Sequence, residues 1–187
     1  MTFTDILDKY RKVSFSERDK GARFERLIKG YLLTAPHYQT LFKEVWLWTE
    51  FPYRKDFGTG KDTGIDLVAL TVNGNFWAVQ CKCYDKDTQI TKADVDTFLS
   101  TSEKRFRNEN LNQVGFSHHL WVSTTNSWSD EARHAVENLS IPVNVISTMD
   151  LENAPVDWNK LEEDVHGSAA VLKERAVRDH QQKAINL

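Results

Sequence analysis

Two apolar segments joined by a short turn constrain this chain most. Residues 65–72 and 76–84 each have the pattern of a buried β-strand, and the turn at 73–75 predicts that they form a hairpin. Polar side chains interrupt the two strands at three positions: Asp66, Gln80 and Lys82. Because a polar side chain on a buried strand is costly, these positions are the first candidates for chemistry.

The length of the loop decides whether those polar side chains meet. Strand side chains alternate between faces, so a two-residue turn would pair Asp66 with Cys81 and direct the acid away from Lys82. A three-residue loop at 73–75 would place Asp66 opposite Lys82 and bring the three polar groups to one face. Such a loop needs a last residue that tolerates the left-handed region, and Asn75 can supply it. We therefore predict the three-residue loop.

The remaining pattern predicts an α/β architecture. Helices are predicted at residues 4–13, 16–33, 91–107 and 129–139, and further strands at 45–48, 119–124 and 142–147. The order is therefore helix, three strands, helix, strand, helix, strand, which predicts a mixed central sheet flanked by helices on both faces. A chain of 187 residues with 40% hydrophobic content fits one domain with a sizeable core.

Composition also bears on location and partners. The chain has no apolar run long enough to cross a bilayer, and its charged N-terminus lacks a signal-peptide core, so we expect a cytoplasmic protein without a membrane partner. The only two cysteines, Cys81 and Cys83, lie in one predicted buried strand and are expected to be reduced core residues. The formal net charge of −3 differs from that of a dedicated DNA-binding module, which is usually basic.

The polar residues of the hairpin have the chemistry of a metal-dependent nuclease. Asp66, the side-chain oxygen of Gln80 and the carbonyl of Cys81 could hold Mg²⁺ or Mn²⁺, because hard cations take oxygen ligands. Lys82 could hold and polarise the attacking water and stabilise the charge at phosphorus. Glu25, beside the apolar stripe of a predicted helix, could add a carboxylate. The structural alternative is a buried Asp66–Lys82 ion pair in which Gln80 satisfies a neighbour.

The pattern Asp66…Gln80-X-Lys82 resembles the PD-(D/E)XK nuclease motif, in the variant where Gln replaces the second acid. With GIDLVA before the turn and VQCKCY after it, the chain is similar to the Mrr-like restriction endonucleases over roughly residues 15–150. The resemblance implies a restriction-endonuclease-like fold, metal ligands at Asp66 and Gln80, and a catalytic Lys82. Glu25, in GARFERLI, resembles the helical acid of that family.

A wider set of segments resembles the N-terminal nuclease of type ISP restriction–modification enzymes: FERLIKGYLLTAP, VWLWTEFP and QCKCYDKDTQITKADVDTF. In that family one polypeptide joins nuclease, helicase-like ATPase, methyltransferase and target-recognition domains. The resemblance implies double-stranded DNA as substrate, and ATP as a ligand of the other domains alone. Residues 178–184 resemble the segment that opens superfamily 2 helicase cores. We therefore expect an endonuclease domain at 1–158 and a helical linker at 159–187, leading into a helicase-like domain absent from this sequence.

The loop at residues 52–64 is rich in Gly, Lys and Asp and could lie near DNA. Asp62 stands four residues before Asp66, a spacing that fits a supporting acid. Four lysines are candidates for contacts with the DNA backbone: Lys55, Lys61, Lys86 and Lys92. Two other functions remain open at this point. One is a catalytically silent DNA-binding or docking module that keeps the nuclease fold, and the other is a stand-alone nuclease for structured DNA.

Overall fold

A mixed sheet of five strands forms the centre of the protein in a computed structural model that describes residues 1–58 and 63–166. In chain order the strands are β1 (Phe42–Leu47), β2 (Leu67–Thr71), β3 (Phe76–Lys82), β4 (Phe106–Arg107), β5 (Gln113–Val114), β6 (Phe116–Ser123) and β7 (Val143–Ile146). The central sheet has the order β1-β2-β3-β6-β7, and β4 and β5 form a separate ribbon. The first three sheet strands are antiparallel, whereas β3, β6 and β7 are parallel.

Helices cover both faces of the sheet. They are α1 (Phe3–Val13), α2 (Glu17–Thr34), α3 (Pro36–Gln39), α4 (Lys92–Ser102), α5 (Asp130–Glu137), α6 (Thr148–Glu152) and α7 (Trp158–His166). Buried residues of α1, α2, α6 and α7 share one core with one face of the sheet, and those of α4 and α5 share a second core with the other. The predicted fold class is therefore confirmed. Cys81 and Cys83 are free thiols in or against the first core, as expected.

Helix α2 carries the apolar stripe that the sequence predicts. The Ser16 side chain accepts a hydrogen bond from the Asp19 N–H at 3.1 Å and caps the first turn. The helix ends at Thr34 because Ala35, which precedes Pro36, has extended backbone angles. The buried face of α2 packs against the sheet at five positions: Phe24, Leu27, Ile28, Tyr31 and Leu32. This packing fixes the helix beside the start of β2.

The predicted register of the β2–β3 hairpin is wrong by two residues. Leu70 pairs with Phe76, and the Thr71 N–H donates to the Asn75 carbonyl at 2.8 Å. The loop has three residues, as predicted, but they are 72–74, and Gly74 takes the left-handed position with φ of 86°. Glycine adopts that region at no steric cost, so it prevails over Asn75. Because the loop still has an odd number of residues, Asp66 remains on the same face of the hairpin as Gln80 and Lys82.

Helix α4 is shorter than predicted. It ends at Ser102 rather than 107, because Phe106 leaves the helical path and pairs with Val114 across the β4–β5 ribbon. The Phe106 side chain is 1% exposed and contacts the rings of Phe51 and Phe76 at centroid distances of 5.4 and 5.1 Å. Burial of a phenylalanine contributes about 1.5–3 kcal/mol, which exceeds what one more helical turn would add.

Helix α7 packs against the N-terminal helices. The Trp158 ring lies 4.9 Å from the Phe3 ring and 5.4 Å from the Tyr31 ring, and its indole N–H donates to the Leu151 carbonyl at 3.0 Å. Leu161 belongs to the same core. The boundary at residue 158 stays a prediction, and this packing favours a nuclease domain that includes α7.

Within the described residues no helix has both the length and the apolar character needed to cross a membrane. Three predicted features lie outside the described residues. They are Lys61, Asp62 and the helicase-like segment 178–184.

Candidate active site

Asp66 is held by both neighbouring strands at the point where β2 begins. Its N–H donates to the Val79 carbonyl at 2.9 Å, and its carbonyl accepts from the Trp48 N–H at 2.8 Å. One carboxylate oxygen, Oδ2, accepts from the Cys81 N–H at 2.8 Å and from the Gln80 side-chain amide at 2.6 Å. Asp66 therefore contacts Gln80 and Cys81, rather than lying opposite Lys82 as predicted. The carboxylate is fixed before any ligand arrives.

Gln80 is buried beside that carboxylate and has an unsatisfied oxygen. Gln80 is only 3% exposed, and within the described residues its side-chain oxygen, Oε1, has no hydrogen-bond partner. The amide nitrogen, Nε2, donates to Asp66 and lies 3.4 Å from the Cys81 carbonyl oxygen. A buried acceptor without a donor is unfavourable by about 1–3 kcal/mol. A cation that accepts oxygen ligands would remove that penalty.

The unpaired Gln80 oxygen and the oxygen chemistry of the three predicted ligand groups fit a hard divalent cation. The structure brings together the Asp66 carboxylate, the Gln80 amide and the Cys81 backbone, as the sequence predicts. In the described parts of the chain, no three His, Cys, Asp or Glu side chains are grouped to hold a metal ion. A metal at this position would therefore depend on amide, carbonyl and outside oxygens as well as on carboxylates.

Glu25 reaches the same site from helix α2. It is half-buried and lines a cavity of about 390 Å³ together with Asp66, Trp48 and Thr63. The pKa of the Glu25 carboxyl is raised to about 7, mainly by burial and next by the nearby Asp66 charge, while the charges of Arg26 and Lys82 act in the opposite direction. Glu25 can therefore exchange a proton near neutral pH.

Lys82 ends β3 and is directed towards the start of helix α4. Its Nζ lies 4.0 Å from Asp94 Oδ1 and 5.8 Å from the centre of the Tyr84 ring. The Tyr84 hydroxyl donates to the same Asp94 oxygen at 2.9 Å. The lysine is about a quarter exposed, so its ammonium group is positioned but accessible.

Asp94 is a site neighbour that the sequence analysis missed in this role. Its other oxygen, Oδ2, accepts from the Thr91 N–H and hydroxyl, each at 2.9 Å. Burial raises the pKa of Asp94, but these hydrogen bonds, the Tyr84 hydroxyl and the Lys82 charge outweigh burial and leave it below its usual value. The Thr-Lys-Ala-Asp pattern predicted only that Asp94 caps the helix. The contact of Asp94 with Lys82 joins a helix to a strand, so the local pattern does not indicate it.

The three predicted DNA-contacting lysines that the structure describes lie on different parts of the fold. Lys55 is exposed in a short 3-10 turn at residues 54–57, and Lys86 is exposed after β3. Lys92 is exposed at the start of α4 and forms an ion pair with Asp96.

This chain belongs to the Mrr_cat_2 family of restriction endonucleases, which matches residues 33–167. The predicted resemblance to Mrr-like nucleases is confirmed by that match. Among curated proteins, none matches the chain significantly.

Solved structures add further likenesses. The ATP-dependent type ISP restriction–modification enzyme LlaBIII bound to DNA is similar over 86% of this chain, with 28% identity and a TM-score of 0.63. This chain covers only 9% of the LlaBIII chain. The restriction endonuclease MspJI in complex with a 27-mer oligonucleotide shows a weaker similarity, with 14% identity and a TM-score of 0.47 over 88% of this chain and 35% of that one.

Proposed function

We propose that this chain is the metal-dependent endonuclease domain of an ATP-dependent restriction–modification enzyme and that it hydrolyses phosphodiester bonds of double-stranded DNA. The observation that carries the proposal is the buried Gln80 amide, whose nitrogen donates to the fixed Asp66 carboxylate while its oxygen is unpaired, in a restriction endonuclease family member. Lys82 lies two residues further along the same strand. The side chains of Gln80 and Lys82 share a face of the strand, and the charges of Asp66 and Lys82 both act on Glu25, which supports one site formed by these residues.

Three groups would hold the cation, most simply Mg²⁺ or Mn²⁺: the Asp66 carboxylate, the Gln80 Oε1 and the Cys81 carbonyl. When bound, such an ion neutralises charge on the phosphate and favours deprotonation of water. The Cys81 N–H keeps Asp66 in place through its 2.8 Å hydrogen bond. The Gln80 amide would turn its oxygen towards the ion, which satisfies the acceptor that is otherwise unpaired.

The remaining side chains provide charge and proton transfer. Water attacks phosphorus and gives up a proton to the Glu25 carboxylate, the P–O ester bond breaks, and the leaving sugar oxygen takes up a proton from solvent, so one strand is cut. The Lys82 ammonium would orient that water and stabilise the negative charge that develops on the phosphoryl oxygens. The Glu25 carboxyl, with a pKa of about 7, would assist as a supporting carboxylate that can exchange a proton. A double-strand break would need two such domains or two events.

The similarity to LlaBIII supports the wider context. We propose that helicase-like ATPase, methyltransferase and target-recognition domains belong to the same polypeptide and that ATP binds only to those domains. Residues 1–158 would then form the nuclease unit, with α7 packed onto it, and 159–187 would lead into the ATPase. Restriction of incoming DNA would place the protein in the cytoplasm. The alternatives, a silent docking module and a stand-alone nuclease for structured DNA, are disfavoured by the complete Asp66, Gln80 and Lys82 set and by the LlaBIII likeness, respectively.

The test uses the full-length enzyme with ATP, Mg²⁺ and plasmid DNA. Lys82→Ala should lower the cleavage rate by at least about a hundredfold, because the developing charge loses its counterion. ATP hydrolysis should continue, and chelation of Mg²⁺ should abolish cleavage by the unaltered enzyme. Lys12→Ala, an exposed change in α1, serves as the matched control. Normal cleavage by the Lys82→Ala enzyme would refute the assignment.

A further inference from the structure

We propose that Arg18 and Arg26 of helix α2 form a clamp for the DNA backbone that places the scissile strand over the Asp66 site. The inference rests on the proposed nuclease function and names a contact surface that the four predicted lysines do not include. Both arginines are exposed and line the cavity that contains Glu25 and Asp66. The clamp would bind two phosphates on either side of the reacting one.

The spacing of α2 places these side chains on one stripe. Arg18, Ala22 and Arg26 follow at intervals of four residues, so they lie on the same side of the helix. Eight residues correspond to about 12 Å along the helix axis. Ala22 also lines the cavity, and its small side chain leaves the space between the two arginines open. Glu25 adjoins this stripe, and it lines the same cavity as the two arginines and Asp66.

The pairing of charges separates these two arginines from their neighbours. Five other cations of α1 and α2 have acidic partners: Lys9 with Glu162, Arg11 with Asp8, Lys20 with Glu17, Arg23 with Asp19, and Lys29 with Glu50. In residues 1–58 and 63–166, the ion pairs include neither Arg18 nor Arg26. Neither guanidinium group is therefore held in a close ion pair there, and the Arg26 charge also acts to lower the pKa of three nearby acids, Asp19, Glu25 and Glu50.

The site itself requires compensating charge. Asp66 and Glu25 place negative charge in the cavity that a DNA phosphate must approach, and the chain as a whole has a net charge of −3. Two arginines at the rim offset that repulsion where the strand enters. Guanidinium groups also bind phosphate oxygens through two parallel hydrogen bonds, which fixes the position of the backbone. Positioning of this kind carries no sequence information, so target choice would remain with other parts of the enzyme.

The experiment measures binding of the 187-residue chain to a short fluorescent DNA duplex in EDTA, between about 20 and 200 mM salt. The logarithm of the binding constant falls with the logarithm of salt by about 0.9 for each phosphate contact. Arg18→Ala and Arg26→Ala should each reduce this slope by about 0.9, and the double variant by about 1.8. Arg23 and Lys29 lie on the same helix, but their charges are already paired with Asp19 and Glu50. Arg23→Ala and Lys29→Ala should therefore leave the slope unchanged.

A second pair of variants keeps both arginines. Ala22→Glu places a carboxylate four residues from each arginine, so it should pair with them and reduce the slope as the arginine deletions do. Ala22→Gln, which has the same length without the charge, should bind DNA with the original slope. This pair excludes loss of helix α2 as the explanation, since both substitutions are compatible with helix.

Several results would overturn the clamp. They are an unchanged slope in the Arg18→Ala/Arg26→Ala double variant, an equal loss in the paired-charge controls, or no binding by the unaltered chain at the lowest salt. Binding in EDTA does not require hydrolysis, so the clamp and the nuclease fail separately. Cleavage by the full-length enzyme with an unchanged slope would refute only the clamp. A reduced slope without any cleavage would refute only the nuclease.

Discussion

Replacement of Gln80 by glutamate tests whether the pair with Asp66 is a cation site. In the folded protein, Gln80→Glu would place a second carboxylate where an amide now donates to Asp66 at 2.6 Å, on a residue that is 3% exposed. Two buried carboxylates at this distance cannot both ionise, so one takes up a proton. The protonated acid can donate to its neighbour and recover the hydrogen bond. The principal cost is then the protonation itself.

That cost depends on pH in a defined way. The unfolded chain ionises this glutamate above a pKa of about 4.3, whereas the folded protein keeps it neutral at pH 7. The difference of about 2.7 pH units, at about 1.36 kcal/mol each, lowers the free energy of unfolding at pH 7 by about 4 kcal/mol. The folded pKa is raised, so the loss is small below the unfolded pKa and grows as pH rises. At pH 5 it should be about 1 kcal/mol. For a domain of this size, about 4 kcal/mol corresponds to a Tm lower by about 8–16 °C.

Thermal unfolding in EDTA and in Mg²⁺ measures both effects. Mg²⁺ should restore stability to Gln80→Glu, because an ion at a hundred times its Kd adds about 2.7 kcal/mol to the folded state. Gln80→Leu is the matched control. It removes the hydrogen bond and the ligand oxygen without a new charge, so its Tm should not respond to Mg²⁺, and in EDTA its Tm difference from the unaltered chain should be the same at pH 7 and pH 5.

Two results would refute this reasoning. Equal destabilisation of Gln80→Glu at pH 5 and pH 7 would mean that no ionised Asp66 lies beside it. Identical Mg²⁺ responses in Gln80→Glu and Gln80→Leu would mean that the oxygens of this pair do not form the cation site.

Two further changes address the fold. His119 is 2% exposed, and burial lowers the pKa of its ring to about 4. The folded protein should therefore lose up to about 3 kcal/mol of stability as the pH falls from about 6.5 to about 4. His119→Leu should flatten that part of the plot of urea midpoint against pH, and an identical plot would contradict the assignment. Gly64→Ala should lower stability by about 2 kcal/mol or more, because φ is 70° and a new Cβ would lie 2.9 Å from the Phe98 nitrogen. Gly21→Ala, with open space and a helical position, should raise it by about 0.5–1 kcal/mol, and equal effects at both glycines would refute the steric account.

In the β2–β3 hairpin, the alternation of side chains along the strands predicts which residues share a face, but it does not predict the register. An odd loop places Asp66 and Gln80 on the same face of the hairpin wherever the loop falls, so the sequence predicts the shared face but not which residues are in contact. The register required one more comparison. Gly74 and Asn75 both tolerate positive φ, but glycine does so without a steric penalty, and the Thr71 hydroxyl accepts from the Asn75 N–H at 3.0 Å to close the loop one residue earlier. Gly74 therefore predicts the register of this hairpin better than Asn75 does.

Other features depend on contacts between distant segments. Lys82 meets Asp94 because helix α4 starts beside the end of β3, and no local spacing encodes that approach. Phe106 stops α4 early because an aromatic cluster elsewhere buries its ring. Arg18 and Arg26 have an ordinary helical pattern, and only the cavity that they line with Asp66 distinguishes them from other surface charges.

The contact between the two ends of the described chain has a consequence for biosynthesis. Phe3 packs on Trp158, Thr4 donates to Glu152, and Lys9 pairs with the buried Glu162. At a translation rate of about 5–20 residues per second, the roughly 150 intervening residues take about 8–30 s to synthesise. During that interval the apolar side of α1 has no partner from α6 or α7. Helix α1 therefore leaves the ribosome well before α6 and α7 and completes its packing only when they arrive, so a chaperone would encounter that side of it uncovered.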